Sequence, residues 1–226
     1  MQKTKIEWTD YTLNPIKGLC QHACWYCYAR NIYKRFKLDE HVYLRPHELT
    51  QIFKLKKPSK IFLCSTHDMF GDWIPDEWIN FILKEIEKFP QHTFQILTKN
   101  PKRVHKMSLK LPDNIWFGIT ITNDDILNHK RLSCLINSQK HIKAKIKFIS
   151  FEPLLEEIKL IQTCHLVEIN WIIIGALTGP KRNQYLPKAQ WIRKIIDHTD
   201  KYNIPIFMKN NLKRYWDGEF RQEFPI

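Results

Sequence analysis

The feature that most constrains this chain is an alternation of strand-sized apolar runs with helix-period segments. Runs near Thr12–Ile16, Lys60–Ser65, Thr93–Thr98, Ile115–Thr120, Ile146–Phe151, Trp171–Gly175 and Ile204–Met208 read as strands. Several, such as Trp171-Ile172-Ile173-Ile174, are apolar almost throughout, the pattern of parallel strands covered on both faces. Between them lie helical stretches. Pro75-Asp76-Glu77-Trp78 opens one, with proline in the first turn, acids at the positive helix end, and an apolar face of Trp78, Phe81, Ile82, Ile86 and Phe89. Asn123-Asp124-Asp125 starts another, and Pro187 to Thr199 forms a third through Trp191, Ile192, Ile195 and Ile196. Such alternation is α/β: a parallel barrel or a doubly wound sheet.

Polar residues gather where these strands end: Thr66-His67-Asp68, Thr98-Lys99-Asn100, Thr120, Ser150 with Glu152, Thr178, and Lys209-Asn210. In a βα barrel those ends share one rim, where such folds carry their sites. That pattern favours a partial or near-complete parallel (β/α) barrel of about six or seven strands. With 226 residues and no repeat or clear linker, a single domain over residues 1–226 is expected. No run approaches the roughly 18–20 apolar residues of a membrane helix. The opening Met1-Gln2-Lys3-Thr4-Lys5-Ile6-Glu7 lacks the apolar stretch of a secretion signal, so no membrane partner and a cytoplasmic location are expected.

Six cysteines in such a chain read as ligands or redox groups rather than disulfides. Cys64, Cys134 and Cys164 stand alone, whereas Cys20, Cys24 and Cys27 cluster as Cys-x3-Cys-x2-Cys. Three thiolates on a short loop can each hold one iron of a [4Fe–4S] cluster, leaving the fourth iron open to a substrate or cosubstrate. A following helix, with Ala29, Ile32, Tyr33 and Phe36, would favour the cluster's negative charge at its N-terminus. The competing reading is zinc, with His22 or His67 as fourth ligand, although zinc motifs usually supply a second, distant ligand pair.

This stretch resembles the radical S-adenosylmethionine (SAM) superfamily, whose members carry Cys-x3-Cys-x2-Cys after the first strand of a partial barrel, with an aromatic residue before the third cysteine, here Tyr26. The resemblance extends to a small, phage-associated, functionally uncharacterised branch. It is carried by Lys5-Ile6-Glu7-Trp8-Thr9-Asp10, Asn14-Pro15, Cys27-Tyr28-Ala29, Pro75-Asp76-Glu77, the run from Pro90 to Lys99, Phe117-Gly118, the run from Ser150 to Leu155, and Gly179-Pro180. Two features depart from that branch. Its first cysteine often stands further from the second, and its Gly-Gly-Glu-Ser-Gly is replaced by Gly175-Ala176-Leu177-Thr178-Gly179, so no acidic role carries over to Leu177.

The resemblance implies a [4Fe–4S] cluster on Cys20, Cys24 and Cys27 that chelates the SAM amine and carboxylate. One electron, from a reductant such as flavodoxin or ferredoxin, then cleaves the sulfonium to methionine and a 5′-deoxyadenosyl radical. The rim should therefore offer SAM an acid, hydroxyls and an apolar slot. Tyr26, Ser65, Thr66, Asp68, Lys99, Thr120, Ser150, Glu152 and Gly175 are the cofactor-binding candidates, with Glu152 and Lys99 also the catalytic candidates. Thr122 also suits a ribose contact, and Thr178 is left to supply polarity beside Leu177. Each has a plainer reading: Asp68 as a turn cap, His67 as a satisfied loop histidine, Glu152 as a salt bridge with Lys209, and Lys102 and Lys106 as a solvated helix face.

Thirty-six Lys+Arg against 23 Asp+Glu leave a net +13, which favours anionic partners. Lys54-Leu55-Lys56-Lys57, Lys140 to Lys147 (with Lys143 and Lys145) and Lys209 to Arg214 offer a phosphate-tracking surface, and Tyr215-Trp216 adds stacking groups. A nucleic acid or nucleotide is the expected substrate or partner, with a protein partner for substrate recognition as a further expectation. A zinc-dependent nucleic-acid-binding module and an iron–sulfur electron carrier without SAM chemistry remain as alternatives.

Overall fold

The computed structural model describes residues 1–107, 109–136, 142, 144–159, 161 and 165–226. The chain forms two compact units: one from Met1–Phe117 with 141–145, the other from 118–140 with Ile146–Ile226. Eight main strands, mostly parallel, alternate with helices, which is the α/β class expected from the sequence.

In the first unit β1 (Gln2–Lys3) pairs antiparallel with β2 (Tyr11–Leu13), and β2 pairs parallel with β5 (Lys60–Leu63), Tyr11 lying opposite Ile61. Next, β5 pairs parallel with β6 (Thr93–Thr98), Lys60 opposite Thr93. The helix α2 (Asp76–Glu87) buries Ile79, Ile82, Leu83 and Ile86, a stripe at helical spacing. Phe81, expected on that stripe, is exposed, because it lies one residue off the buried row, and Pro75 caps α2 from outside instead of entering its first turn. Arg103, on α3 (Pro101–Lys106), is buried and donates to the carbonyls of Gly71 and Ile74 and, at 2.6 Å, to Asp76 at the start of α2. Lys102 and Lys106 of the same helix are exposed, as expected.

A side excursion leaves this layer after β2. Its base is a two-stranded antiparallel pair, β3 (Ile16–Lys17) with β4 (Tyr43–Leu44), and it carries the cysteine loop and α1 (Tyr28–Phe36). Gly18 fits this base as no other residue would. Its φ is +96°, and a Cβ there would stand 2.1 Å from the carbonyl oxygen of His41.

The strand β7 (Ile115–Thr120) carries the chain from the first unit into the second. There β8 (Ile146–Phe151), β9 (Trp171–Ile174) and β10 (Ile206–Met208) form parallel pairs in that order. The helices are α4 (Ile126–Ile136) and α5 (Ala189–Asp200), the latter burying Ile192, Ile195 and Ile196. Trp171 centres an aromatic cluster with Phe148, Phe207 and Phe224, ring centroids 5.4, 6.1 and 5.5 Å away, and donates its indole N–H to the Glu223 carbonyl at 2.8 Å. Among the described residues, no helix is long and apolar enough to cross a membrane.

His92 gives the first unit a pH dependence. It is 1% exposed, packs beside Phe89 and Phe94, and neither ring nitrogen has a hydrogen-bond partner among the described residues. Burial therefore holds its pKa below the ordinary histidine value of 6.5. The unfolded chain takes up this proton first, so stability is lost as pH falls below about 6.5 toward the depressed folded value. Thermal melts between pH 8 and 5 are expected to show this decline, with a shallower slope in His92→Leu; identical slopes would contradict it.

Candidate functional site

The cysteine loop is held from several sides within the first unit. The Leu19 amide donates to the Glu40 carbonyl at 3.0 Å, the Tyr33 hydroxyl accepts from Gly18 N–H at 2.9 Å, and Arg30 donates to the Cys20 carbonyl at 3.1 Å. Ala23 adopts a left-handed φ of 50°, turning the chain between the first two cysteines. Cys27 closes the turn, its amide donating to the Cys24 carbonyl at 3.1 Å, and is itself the N-cap of α1. All three thiols are free and half-buried. Burial pushes the Cys20 thiol up to about 11, with the Asp68 charge and Cys24 adding to the rise against hydrogen bonds from the His22 and Asp68 amides. Cys64 is buried and pushed up to about 12 by desolvation, a packing cysteine at a left-handed φ of 53°.

Asp68 anchors the loop to the end of the second parallel strand. Its carboxylate accepts from His22 Nε2 at 2.8 Å, Thr98 Oγ1 at 2.8 and 3.1 Å, the Lys99 amide at 2.8 Å and the Phe70 amide at 2.9 Å. Burial alone would raise its pKa, but these donors, His22 foremost, outweigh it and hold the carboxyl below the ordinary value. The bond to Phe70 is the turn cap that the sequence offered as the plainer reading. His67 is also engaged: Nδ1 stands 3.2 Å from the Gly18 carbonyl, and Nε2 accepts from the Trp73 indole at 2.8 Å. That fixes Nδ1–H as donor and leaves neither nitrogen for a metal in this arrangement.

The remaining candidates of this unit surround the loop. Tyr28 donates its hydroxyl to the Ser65 carbonyl at 2.8 Å, joining α1 to the strand end. The Ser65 hydroxyl and the Thr66 amide both donate to Asn14 Oδ1, at 3.1 and 3.2 Å. The Lys99 ammonium sits 5.9 Å from the Tyr26 ring centroid, so these two candidates meet beside the cysteines.

The second unit gathers its own polar group. Lys209 Nζ donates to Glu152 Oε1, the salt bridge that the sequence allowed. Gly175 lies against this pair: a Cβ there would stand 3.0 Å from Lys209 Cδ and 3.1 Å from Glu152 Cγ. The Gly175 amide donates to the Phe151 carbonyl at 3.1 Å, and the Lys209 amide to that of Ile174 at 2.9 Å, locking three strand ends. The peptide between Glu152 and Pro153 is cis. Thr120, Thr122 and Ser150 are buried, the Ser150 carbonyl accepting from the Ile121 amide at 3.0 Å. Leu177 is buried and Thr178 exposed, and Asn211 exchanges two hydrogen bonds with the Ala176 backbone.

The basic surface differs from expectation in two places. Lys147 is not part of it: it lies within β8, 7% exposed, and pairs with Glu168 at 2.7 Å. Trp216 is not an open stacking plate, because Arg193 covers its ring at 4.9 Å and the ring lies where a Gly218 Cβ would be. Lys54, Lys56, Lys57, Lys145, Lys213 and Arg214 are exposed. Lys140, Lys143 and Cys164 lie outside the described residues.

A [4Fe–4S] cluster suits this donor set. Among the described residues no three His, Cys, Asp or Glu side chains converge on one point as a single ion requires. A cubane instead takes each thiolate on a different iron and so accepts sulfurs spread along one loop. Cys20, Cys24 and Cys27 are three such free thiols, and a coordinating cation would deprotonate even the raised Cys20.

Sequence features missed His22, Asn14 and Trp73 as supports. The paired Asn14-Pro15 was visible as a motif, but its service to Ser65 and Thr66 links positions 51 and 52 residues apart.

The fold is shared with spore photoproduct lyase. A tyrosine-to-phenylalanine variant matches with a TM-score of 0.61 at 12% identity, covering 99% of this chain and 78% of that one. A doubly substituted variant with bound AdoMet and dinucleoside spore photoproduct matches with a TM-score of 0.57 at 14% identity, over 88% of this chain. A complex with dinucleoside spore photoproduct gives 0.54 at 14% identity. The chain spans 63% of the length of these last two. No match is found among the curated proteins. The model of a protein family described as a protein of unknown function, DUF5131, matches residues 3–222, and the chain belongs to that family.

Proposed function

We propose that this protein is a radical SAM enzyme that acts on a nucleotide or nucleic acid. The carrying observation is the Cys20, Cys24 and Cys27 loop, mounted after β2 and ending at the N-cap of α1. Its support is a fold like that of spore photoproduct lyase, a radical SAM enzyme whose structures hold AdoMet and a dinucleoside substrate. Bound to the three cysteines, a [4Fe–4S] cluster would supply the electron that cleaves the SAM sulfonium.

The chain's own residues then have distinct tasks. Asp68 is a positioning residue: it ties His22, and so the cysteine loop, to Thr98 and Lys99. Tyr26 and Lys99 flank the loop, the lysine suited to a carboxylate or phosphate and the ring to an apolar slot. Ser65 and Thr66 are fixed by Asn14 and offer polar groups to the SAM amine. In the second unit, Glu152, held by Lys209, is the acid of the polar group at the strand ends. Gly175 lets that pair pack against its backbone, where a Cβ would crowd both side chains. His67 is committed through both ring nitrogens, to Gly18 and Trp73, which weighs against it as a fourth zinc ligand. A low-potential cluster also suits the reducing cytoplasm, and the motif blocks favour the phage-associated branch.

The test is anaerobic reconstitution with iron and sulfide, followed by SAM and dithionite. Formation of 5′-deoxyadenosine and methionine is expected, enhanced by an oligonucleotide. Zinc-loaded protein, and no deoxyadenosine after iron reconstitution, would contradict the reading.

A further inference from the structure

Helix α1 shows solvent what the neighbouring helices bury. It covers only Ala29 and Tyr33, whereas Tyr28, Ile32 and Phe36 are 48%, 40% and 61% exposed. Those three are four residues apart, so they form one stripe along the helix. Trp25 at its start and Leu38 at its end, both nearly half exposed, extend it. A contiguous exposed apolar stripe of this kind marks an interaction surface.

Its charge is one-sided. No acid occurs from Tyr11 to Leu38, while Arg30, Lys34, Arg35 and Lys37 lie on or next to the helix, and Arg35 stands 5.4 Å over the Phe36 ring. Asp39 and Glu40 come only after the stripe ends. The helix also starts at Cys27, so the stripe continues directly from the cysteine loop.

We infer that α1 is the docking face for an acidic one-electron donor protein of the ferredoxin class. The inference rests on the radical SAM reading, which requires an electron at the cysteines. Charge complementarity selects an acidic partner, and the apolar stripe, with Arg35 over its Phe36 end, gives it a desolvated centre. A donor seated here lies beside Cys27, which shortens the electron path. The step balances simply: the reduced donor loses one electron, the oxidised [4Fe–4S] cluster gains it, no bond forms or breaks, and no proton moves.

The experiment compares reconstituted wild type with Phe36→Glu and with Lys34→Glu/Arg35→Glu, using an acidic [2Fe–2S] ferredoxin. Titration with oxidised ferredoxin is expected to show at least about tenfold weaker binding in both variants, since like charges at an interface are costly, and wild-type binding that weakens with salt. Ferredoxin-driven deoxyadenosine formation falls in parallel, while dithionite-driven formation, which needs no docking, is unchanged. Ferredoxin affinity equal to wild type in both variants overturns the docking face, as does a loss confined to oligonucleotide affinity. Failure of dithionite-driven cleavage in the wild type instead overturns the radical SAM reading, so the two failures are distinguishable.

Discussion

Cys24→Ala is expected to fold normally and to lose iron, acid-labile sulfide and SAM cleavage, the last falling to the background of iron-free protein. The side chain is half-buried and outside any disulfide, so the stability cost stays near the range of about 0.5 kcal/mol for surface changes. The chemical cost is different in kind, because in the proposed cluster each thiolate would hold its own iron and two could not fix the third corner. Cys20→Ala and Cys27→Ala should behave alike. Cys64→Ala supplies the control. Cys64 is buried and lies outside the Cys-x3-Cys-x2-Cys run, so its loss is expected to affect packing and leave the iron content intact. Turnover at wild-type rate by Cys24→Ala would remove the basis of the account.

Asp68→Ala carries the second large effect, this time on the protein itself. The carboxylate satisfies His22, the Thr98 hydroxyl and the amides of Phe70 and Lys99 from a site only 6% exposed. Deleting it strands several of these donors, each orphaned group costing about 1–3 kcal/mol. Partial relaxation and water entry offset some of that, so a net loss of about 3 kcal/mol is expected in denaturant unfolding. Because His22 sits between Cys20 and Cys24, the same change should loosen the cysteine loop and lower cluster yield. Asp68→Asn keeps an acceptor for part of the set and should fall between wild type and alanine. An Asp68→Ala protein as stable as wild type would show that the hydrogen-bond hub is not what holds the loop.

Much of the fold was legible because long apolar strands announce themselves. The reading of β6, β7 and β8 matches the observed bounds residue for residue. Where the chain turns sooner, local chemistry explains it: β2 stops at Leu13, before Asn14-Pro15, and β10 begins only at Ile206, after Pro205. Two-residue strands such as β1 and β4 carry no period that a sequence pattern could reveal. The 3-10 helix over Pro46–Lys54 escaped notice for a similar reason, since its buried apolar positions, Leu49 and Ile52, are only two.

The three clustered cysteines of the candidate site were legible, and the supports around them were not. Cys20, Cys24 and Cys27 stand out by spacing, and a salt bridge between Glu152 and Lys209, 57 residues apart, was the plainer reading offered for that acid. His22 with Asp68, 46 residues apart, depends on the path of the side excursion, which no local pattern encodes. Lys147 misled because a lysine run looks solvated, whereas β8 is buried along its whole length and carries this one against Glu168.

The most direct measurement is electron paramagnetic resonance on anaerobically reconstituted, dithionite-reduced protein, recorded with and without SAM. A reduced [4Fe–4S] signal that shifts when SAM is added is the result this account requires, because it places SAM at the open iron. A cluster signal indifferent to SAM, or no cluster and stoichiometric zinc, would contradict it.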